Sequence, residues 1–261
     1  MPRRPLWKAF FVLLAATASP GRAQTNMCQN SDPGTEQPAS HNCGLPSNQD
    51  PTPLIRDVSD RVIAIAQGMK GQYRLAWTPK ILMTDEVRPE EMARAMNPSA
   101  DEISRGEPGA IAISSSLCLL FASRDEVAFL VGHELGHQVL RTWQTVEDGK
   151  KAAEAACKER SRCGQSRCSI DACEEERTYA LLQKEESRAD EVGMAYVAAS
   201  KDQADPASRF DPGKACLMFG HVRDYWWAHG ANFDDAVPDH PPLAQREYEA
   251  RKKIEQLLPP Q

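Results

Sequence analysis

The spacing of apolar residues predicts one amphipathic helix over residues 54–69. Apolar positions recur there at helical intervals, at Leu54, Ile55, Val58, Val62, Ile63, Ile65 and Ala66. Two short stretches have the apolar character of strands, Lys80–Thr84 and Ala110–Ser114. Between them, residues 88–97 favour a helix and residues 98–108 favour a loop. We therefore expect a small sheet built from local crossovers.

The most informative pattern lies in residues 123–140. Ser123 followed by Glu126 is typical of a helix N-terminus, and apolar residues recur at Val127, Leu130, Val131, Leu135 and Val139. Four residues turn a helix through about 400°, so His133 and His137 lie on one face, where two neutral imidazoles can meet one zinc ion. Glu134 is placed to act on water as the general base.

Two histidines on a polar surface are the simpler interpretation of this motif. That interpretation fits poorly, because the histidines lie among Phe129, Leu130, Val131, Leu135 and Val139. Gly136 is also unfavourable inside a helix, by about 1 kcal/mol relative to alanine. A close neighbour, such as a second helix that carries another ligand, would explain why this position has no side chain.

A third zinc ligand is expected, because catalytic zinc keeps three protein ligands and one open position. Residues 185–190 are predicted to begin another helix, in which Glu186 and Asp190 share a face. One carboxylate can bind zinc while the other orients an imidazole through its second nitrogen. Alternatively, these acids are a solvated helix start that the helix dipole favours.

Composition and charge narrow the class of protein. The chain has 261 residues, 41% of them hydrophobic, which excludes a fully disordered protein. Its N-terminus has a basic start, an apolar run and small residues, so residues 1–23 are predicted to be a signal peptide, cut after Ala23 or Ala18. An uncleaved membrane anchor is the alternative. These residues hold four of the 31 basic residues and no acid, so the remainder has 27 basic and 37 acidic residues, a net charge of −10. Nucleic acid is therefore not expected as a partner.

Eight cysteines follow the predicted cut, and an even number in an exported chain favours disulfides. A metal site at the four cysteines between 157 and 173 is disfavoured, because they lack paired C-x-x-C spacing and neighbouring histidines. Connectivity stays open, although a nested helical hairpin at about residues 150–180 would pair Cys157 with Cys173 and Cys163 with Cys168. Residues 24–53 are predicted to be a flexible lead-in, looped by Cys28 and Cys43.

Three motifs in order carry a resemblance to a known family. They are residues 125–128 leading into His133-Glu134-Leu135-Gly136-His137, the segment from Glu186 to Asp190, and Asp239-His240-Pro241-Pro242 followed by Arg246. The chain resembles the zinc endopeptidases of the CAAX prenyl protease and heat-shock protease HtpX type, in their soluble, exported branch. The resemblance implies an α+β, zincin-like (gluzincin) fold, mostly helical with a small curved β-sheet, in which residues 54–261 form a single zinc metallopeptidase domain. It also implies one zinc ion, Glu186 as third ligand and His240 in the cleft.

The expected function is zinc-dependent hydrolysis of extended or misfolded envelope proteins, in the periplasm or another extracytoplasmic compartment. Glu134 and His240 are the predicted catalytic residues, with His240 stabilising the oxyanion and Asp190 and Arg246 as supports. If it is a sheet edge, the strand Ile111, Ala112, Ile113 and Ser114 is predicted to hold the substrate by β-addition. His240 as a resting zinc ligand or as a loop-packing residue are the alternatives.

Two other classes of function stay open. The protein could be a metal-binding folding helper with little or no proteolytic activity, or a structural envelope protein whose histidines are fortuitous. The expected partners are polypeptide substrates. The aromatic cluster Tyr225, Trp226 and Trp227 is interpreted as helix packing. A peripheral contact of this cluster with the membrane or with envelope proteins is the alternative. The oligomeric state is not predicted.

Overall fold

The computed structural model of the protein describes residues 41–84, 93–96, 98, 102, 105, 109–162 and 170–257. In these ranges the fold is mostly helical with one small sheet. The strands are β1 (Lys80–Thr84), β2 (Ala93–Ala95) and β3 (Ala110–Ser114). The α-helices are α1 (Thr52–Gly68), α2 (Arg124–Leu140), α3 (Thr142–Arg162), α4 (Ile170–Ala199), α5 (Pro212–Ala215), α6 (Met218–Ala228), α7 (Phe233–Ala236) and α8 (Leu243–Leu257).

The core lies between α1, α2, α4 and the sheet, and the prediction of the first helix is confirmed. In α1, every apolar residue at the predicted spacing except Leu54 is buried. The helix packs against α2, the sheet and α4. In the described part of the chain, no helix is both long enough and apolar enough to cross a membrane. The predicted signal peptide lies outside the described residues.

The sheet has the order β1-β3-β2, which confirms both predicted strands and corrects one predicted helix. Strand β1 runs parallel to β3, and β2 pairs antiparallel to β3 with Ala95 opposite Ile111. Residues 93–95 were expected to be helical because alanine and arginine are good helix formers. Pairing with β3 overrides that local preference. Most of the remaining predicted helix, and most of the predicted loop, lie outside the described residues.

The interpretation of Ile111, Ala112, Ile113 and Ser114 as a substrate-binding edge is wrong. Strand β3 is the central strand, flanked by β1 and β2, and each of its residues is buried. Its small and apolar side chains suit a strand that is covered on both faces. In the described sheet, β2 has one long edge without a neighbouring strand.

Helix α4 begins earlier than the sequence pattern indicated. It starts at Ile170 and has 30 residues, about 45 Å, so Glu186 lies near its middle rather than at its start. A favourable helix dipole at an N-terminus therefore does not account for this acidic cluster. Its first half packs against α3 to form the predicted helical hairpin, and the disulfide Cys157–Cys173 joins the two helices. Cys163 and Cys168 lie outside the described residues.

The second disulfide differs from the predicted pairing. Cys43 bonds to Cys118, 75 residues along the chain, so the predicted loop between Cys28 and Cys43 is wrong. Cys43 is buried in a short 3-10 turn, Asn42–Gly44, and its amide donates to the Phe121 carbonyl at 2.8 Å. In this position Cys43 lies next to Cys118, in the segment that precedes α2. Cys216 is disulfide-bonded as well.

We expect at most two reactive thiols in the denatured, unreduced protein. The five described cysteines are all bonded, and the partner of Cys216 makes six of the eight. A bridge that closes the 16-residue step from Cys157 to Cys173 contributes about 3 kcal/mol in the chain-entropy model. Titration of thiols in denaturant, before and after reduction, measures this number. Four or more reactive thiols before reduction would contradict the disulfide framework.

Candidate metal centre

Helix α2 presents the two histidines as the sequence predicts. The Ser123 hydroxyl accepts a hydrogen bond from the Glu126 amide, and the Glu126 carboxylate accepts one from the Ala122 amide at 3.2 Å. These two hydrogen bonds cap the helix, which starts at Arg124. Further along the helix, the Nε2 atoms of His133 and His137 lie 3.1 Å apart, with the rings nearly perpendicular.

Small residues let α4 approach α2 almost backbone to backbone. A Cβ on Gly136 would lie 3.0 Å from the Ala189 Cα, and a Cβ on Gly193 would lie 2.9 Å from the His133 amide nitrogen. Gly132 faces Gly193 in the same way, at 3.0 Å from its Cα. These distances confirm the expectation that a second helix accounts for Gly136. They also explain how the short Glu186 side chain reaches both histidines.

Glu186 on α4 completes a group that could hold a metal ion. Its Oε2 lies 3.2 Å from Nε2 of His133, and its Oε1 lies 3.2 Å from Nε2 of His137. The three side chains are largely buried, with exposed fractions of 5%, 13% and 14%. Although the Glu186 Oε2 lies near the rings of His133 and His240, it makes no hydrogen bond to a described residue. A buried anionic oxygen without a hydrogen bond suits a cation.

Asp190 and Arg246 orient His133 through the ring nitrogen Nδ1, on the side of the ring away from Nε2. Nδ1 of His133 donates to the Asp190 carboxylate at 2.9 Å, which directs Nε2 towards the metal group. Arg246 on α8 donates to both oxygens of the same carboxylate, at 2.7 and 2.8 Å, and its guanidinium lies 5.3 Å from the centre of the Phe219 ring. Asp190 thus has the predicted orienting position. Arg246 therefore acts on the candidate ligand His133 through Asp190.

His240 lies at the open side of the group, on the segment between α7 and α8. Its Nε2 is 3.2 Å from the Glu186 Oε2, and its Nδ1 donates to Asp239 at 3.0 Å. The side-chain amide of Gln183, one turn before Glu186 on α4, donates to the Pro238 carbonyl at 2.9 Å. The contacts of Gln183 and Asp239 were not predicted. The position of Gln183 beside the centre could have been inferred, because residues three apart in a helix, such as Gln183 and Glu186, lie on the same face.

The ionisable side chains of this centre shift one another's pKa values. Burial disfavours a charged His133, but interactions with Asp190 and Glu186 outweigh this and raise its pKa to about 10. Burial alone would raise the pKa of Glu186, yet the neighbouring rings of His133, His137 and His240 hold that pKa well below its usual value. Burial opposes charge on His240 too, but Asp239 and Glu186 raise its pKa to about 8. Because an imidazole ligand must be neutral, a metal ion competes with a proton here.

Glu134 follows His133 on α2 and is 5% exposed. One residue turns a helix by about 100°, so its side chain leaves α2 in a different direction from that of His133. Glu134 is not a member of the group that could hold a metal ion. The candidate ligands predicted from the sequence are brought together on α2 and α4, with His240 next to them. Only the strand at residues 111–114 is misplaced as a substrate edge.

Two helices, joined through small residues, bring two imidazoles and a carboxylate to one point, and a buried ion pair orients one of the imidazoles. No protein-family model matches the chain, and it matches no curated protein and no solved structure.

Proposed function

We propose that the protein is a zinc-dependent endopeptidase with a zincin-like fold, in which His133, His137 and Glu186 hold one zinc ion. The observation that carries this proposal is the convergence of the three side chains. Ligand atoms about 2.0–2.1 Å from a tetrahedral zinc ion lie about 3.3 Å from each other. Nε2 of His133 lies 3.1 Å from Nε2 of His137 and 3.2 Å from the Glu186 Oε2, and Nε2 of His137 lies 3.2 Å from the other carboxylate oxygen, Oε1. A small rotation of the carboxylate therefore suffices to bring one oxygen and both rings around a zinc ion.

The types of ligand atom limit which metals can bind and which reactions are expected. Two imidazoles and one carboxylate leave an open position, as in the catalytic sites of zinc peptidases. The same donors also suit iron(II) in oxygenases. The buried carboxylate of Glu134, directly after a ligand, favours hydrolysis, because hydrolysis needs a base for water. The predicted resemblance to CAAX prenyl protease and HtpX-type enzymes agrees with this assignment.

The chain's own residues supply the remaining chemistry. A zinc ion in this group supplies Lewis acidity and lowers the pKa of water towards 7. Glu134 takes a proton from the attacking water and later gives it to the leaving amine. Asp190 keeps the His133 Nδ1 protonated, so Nε2 stays a ligand. Arg246 holds Asp190 charged and in place, because the attraction of the guanidinium lowers the pKa of that buried carboxylate. His240 donates to the developing oxyanion.

The substrate class is an extended polypeptide, for which β2 is the better docking edge. The Met96 amide donates to the Ala110 carbonyl at 2.7 Å, so the backbone groups of Met96 point towards β3. Because these groups alternate along an antiparallel strand, those of Ala93 and Ala95 point away from β3, towards the edge. Disulfides are compatible with an oxidising compartment, and misfolded envelope proteins are the proposed substrates.

Metal content and proteolysis together test the proposal. We expect one zinc ion per chain by elemental analysis, and cleavage of a reduced and alkylated polypeptide that stops with a chelator and returns with zinc. Binding of the denatured polypeptide without cleavage would favour the folding helper instead. Iron at one equivalent, or no metal, would contradict the zinc peptidase.

Removing His240 separates its three possible roles. For His240→Ala, we expect nearly unchanged zinc content and a turnover rate lowered by about 100- to 1000-fold on a defined peptide, as when one oxyanion donor is lost. Steady-state kinetics and metal analysis measure both. A faster enzyme would identify His240 as a resting ligand, since its Nε2 already lies beside Glu186. An unchanged rate would leave it a packing residue against Phe233.

A further inference from the structure

Gln138 is a buried amide that the proposed chemistry does not use. It follows the ligand His137 on α2 and is 1% exposed. Its Nε2 donates to the Met96 carbonyl at 3.2 Å and lies 3.4 Å from the Ala110 carbonyl. Burying a side-chain amide costs free energy, and hydrogen bonds inside the protein are needed to offset that cost. Both bonds go to one point of the sheet, where β2 and β3 separate.

The backbone is tightly packed at that point. The Met96 amide already donates to the Ala110 carbonyl, and a Cβ on Gly109 would lie 1.8 Å from the Met96 carbonyl oxygen. Met96 is the residue directly after β2, so its carbonyl fixes where the end of this strand lies. Gln138 is the side chain that ties this carbonyl to the helix carrying the histidines.

The oxygen and the nitrogen of the Gln138 amide differ in their hydrogen bonding. The Gln138 Oε1 is buried and accepts no hydrogen bond from any residue in the described ranges. Glutamine at this position therefore contributes two donors, and its oxygen adds a desolvation cost without a bond. A purely space-filling role would be served better by methionine or leucine.

We propose that Gln138 is a positioning residue that holds strand β2 in register with the metal-binding helix, so that a polypeptide on β2 is aligned with the metal centre. This inference rests on the proposed peptidase function for its substrate, but the coupling of β2 to α2 does not. Gln138 touches neither metal nor substrate. It acts through Met96, at the end of the strand whose Ala95 backbone faces the edge.

The test compares Gln138→Met with Gln144→Met, which removes an exposed amide on α3 as a matched control. Methionine keeps the length and volume of the side chain but has no donor. For Gln138→Met we expect unchanged zinc content and a KM for an extended peptide raised by about tenfold, the loss typical of one or two hydrogen bonds, with kcat changed much less. Gln144→Met should match the wild type.

Hydrogen exchange supplies a readout that does not require activity. In Gln138→Met, the Met96 amide should exchange about tenfold faster while amides in the middle of α2 are unaffected. Gln138→Leu should behave like Gln138→Met, because neither side chain can donate to the carbonyls. If exchange at Met96 is unchanged, or if kcat falls with KM constant, the positioning role is wrong. If exchange accelerates but no variant or wild type cleaves peptides, the coupling stands and the peptidase proposal fails.

Discussion

Replacing Glu134 with glutamine is expected to abolish peptide cleavage while the zinc content stays at one ion per chain. Glutamine has nearly the same volume and fits the buried site, but it cannot accept a proton from water. Loss of a general base typically lowers the rate by about 100- to 10,000-fold. Elemental analysis and steady-state kinetics on the same preparation measure both quantities.

Two further variants make this result specific. Glu186→Ala should lose zinc as well as activity, because Glu186 is in the metal group and Glu134 is not. Glu176→Gln, an exposed acid on the same helix as Glu186, should change neither. Equal loss of zinc in the Glu134 and Glu186 variants would show that the roles of these two acids have been assigned wrongly.

Adding one methyl group at Gly193 is expected to lower both stability and metal affinity. Its Cβ would lie 2.9 Å from the His133 amide nitrogen and 3.1 Å from the Phe129 carbonyl oxygen, which are backbone atoms that cannot turn aside. Helices α2 and α4 must then separate, and such overpacking costs about 1–3 kcal/mol. Because the ligands sit on both helices, we expect zinc affinity to fall by about 10- to 100-fold, the range seen when ligand orientation is disturbed.

The matched control is Gly68→Ala, at the end of α1. A Cβ there meets nothing within 4 Å, so the substitution should leave the melting temperature unchanged or raise it slightly, since alanine favours a helix by about 1 kcal/mol over glycine. Thermal unfolding with and without added zinc compares the two variants. A Gly193→Ala protein as stable as Gly68→Ala, with normal zinc affinity, would refute the close approach of α2 and α4.

The group that could hold a metal ion could be predicted because its geometry is local. A four-residue spacing places two histidines on one helix face, and the carboxylates four residues apart share another. Even the neighbouring helix could be inferred, from a glycine at a position where glycine is unfavourable. Each of these arguments needs only the geometry of a single helix.

The errors arise where contacts between distant segments decide the structure. Residues 93–95 have helical propensity, but β3 recruits them as a strand. The pattern of Ile111 and Ile113 identifies a strand without showing whether it is central or at an edge. The start of α4 was missed because residues 170–184 are mostly polar and pack mainly on α3, so their apolar pattern is weak. Cysteine spacing could not reveal the Cys43–Cys118 bond, which joins residues 75 apart.

The Cys43–Cys118 bond has a practical consequence for handling the protein. It closes a ring of polypeptide that contains α1 and all three strands. Any cut between residues 44 and 117 leaves both fragments covalently attached. A nicked molecule would therefore migrate as one band without reductant and as two with it, so only a reducing gel reports whether a preparation is intact.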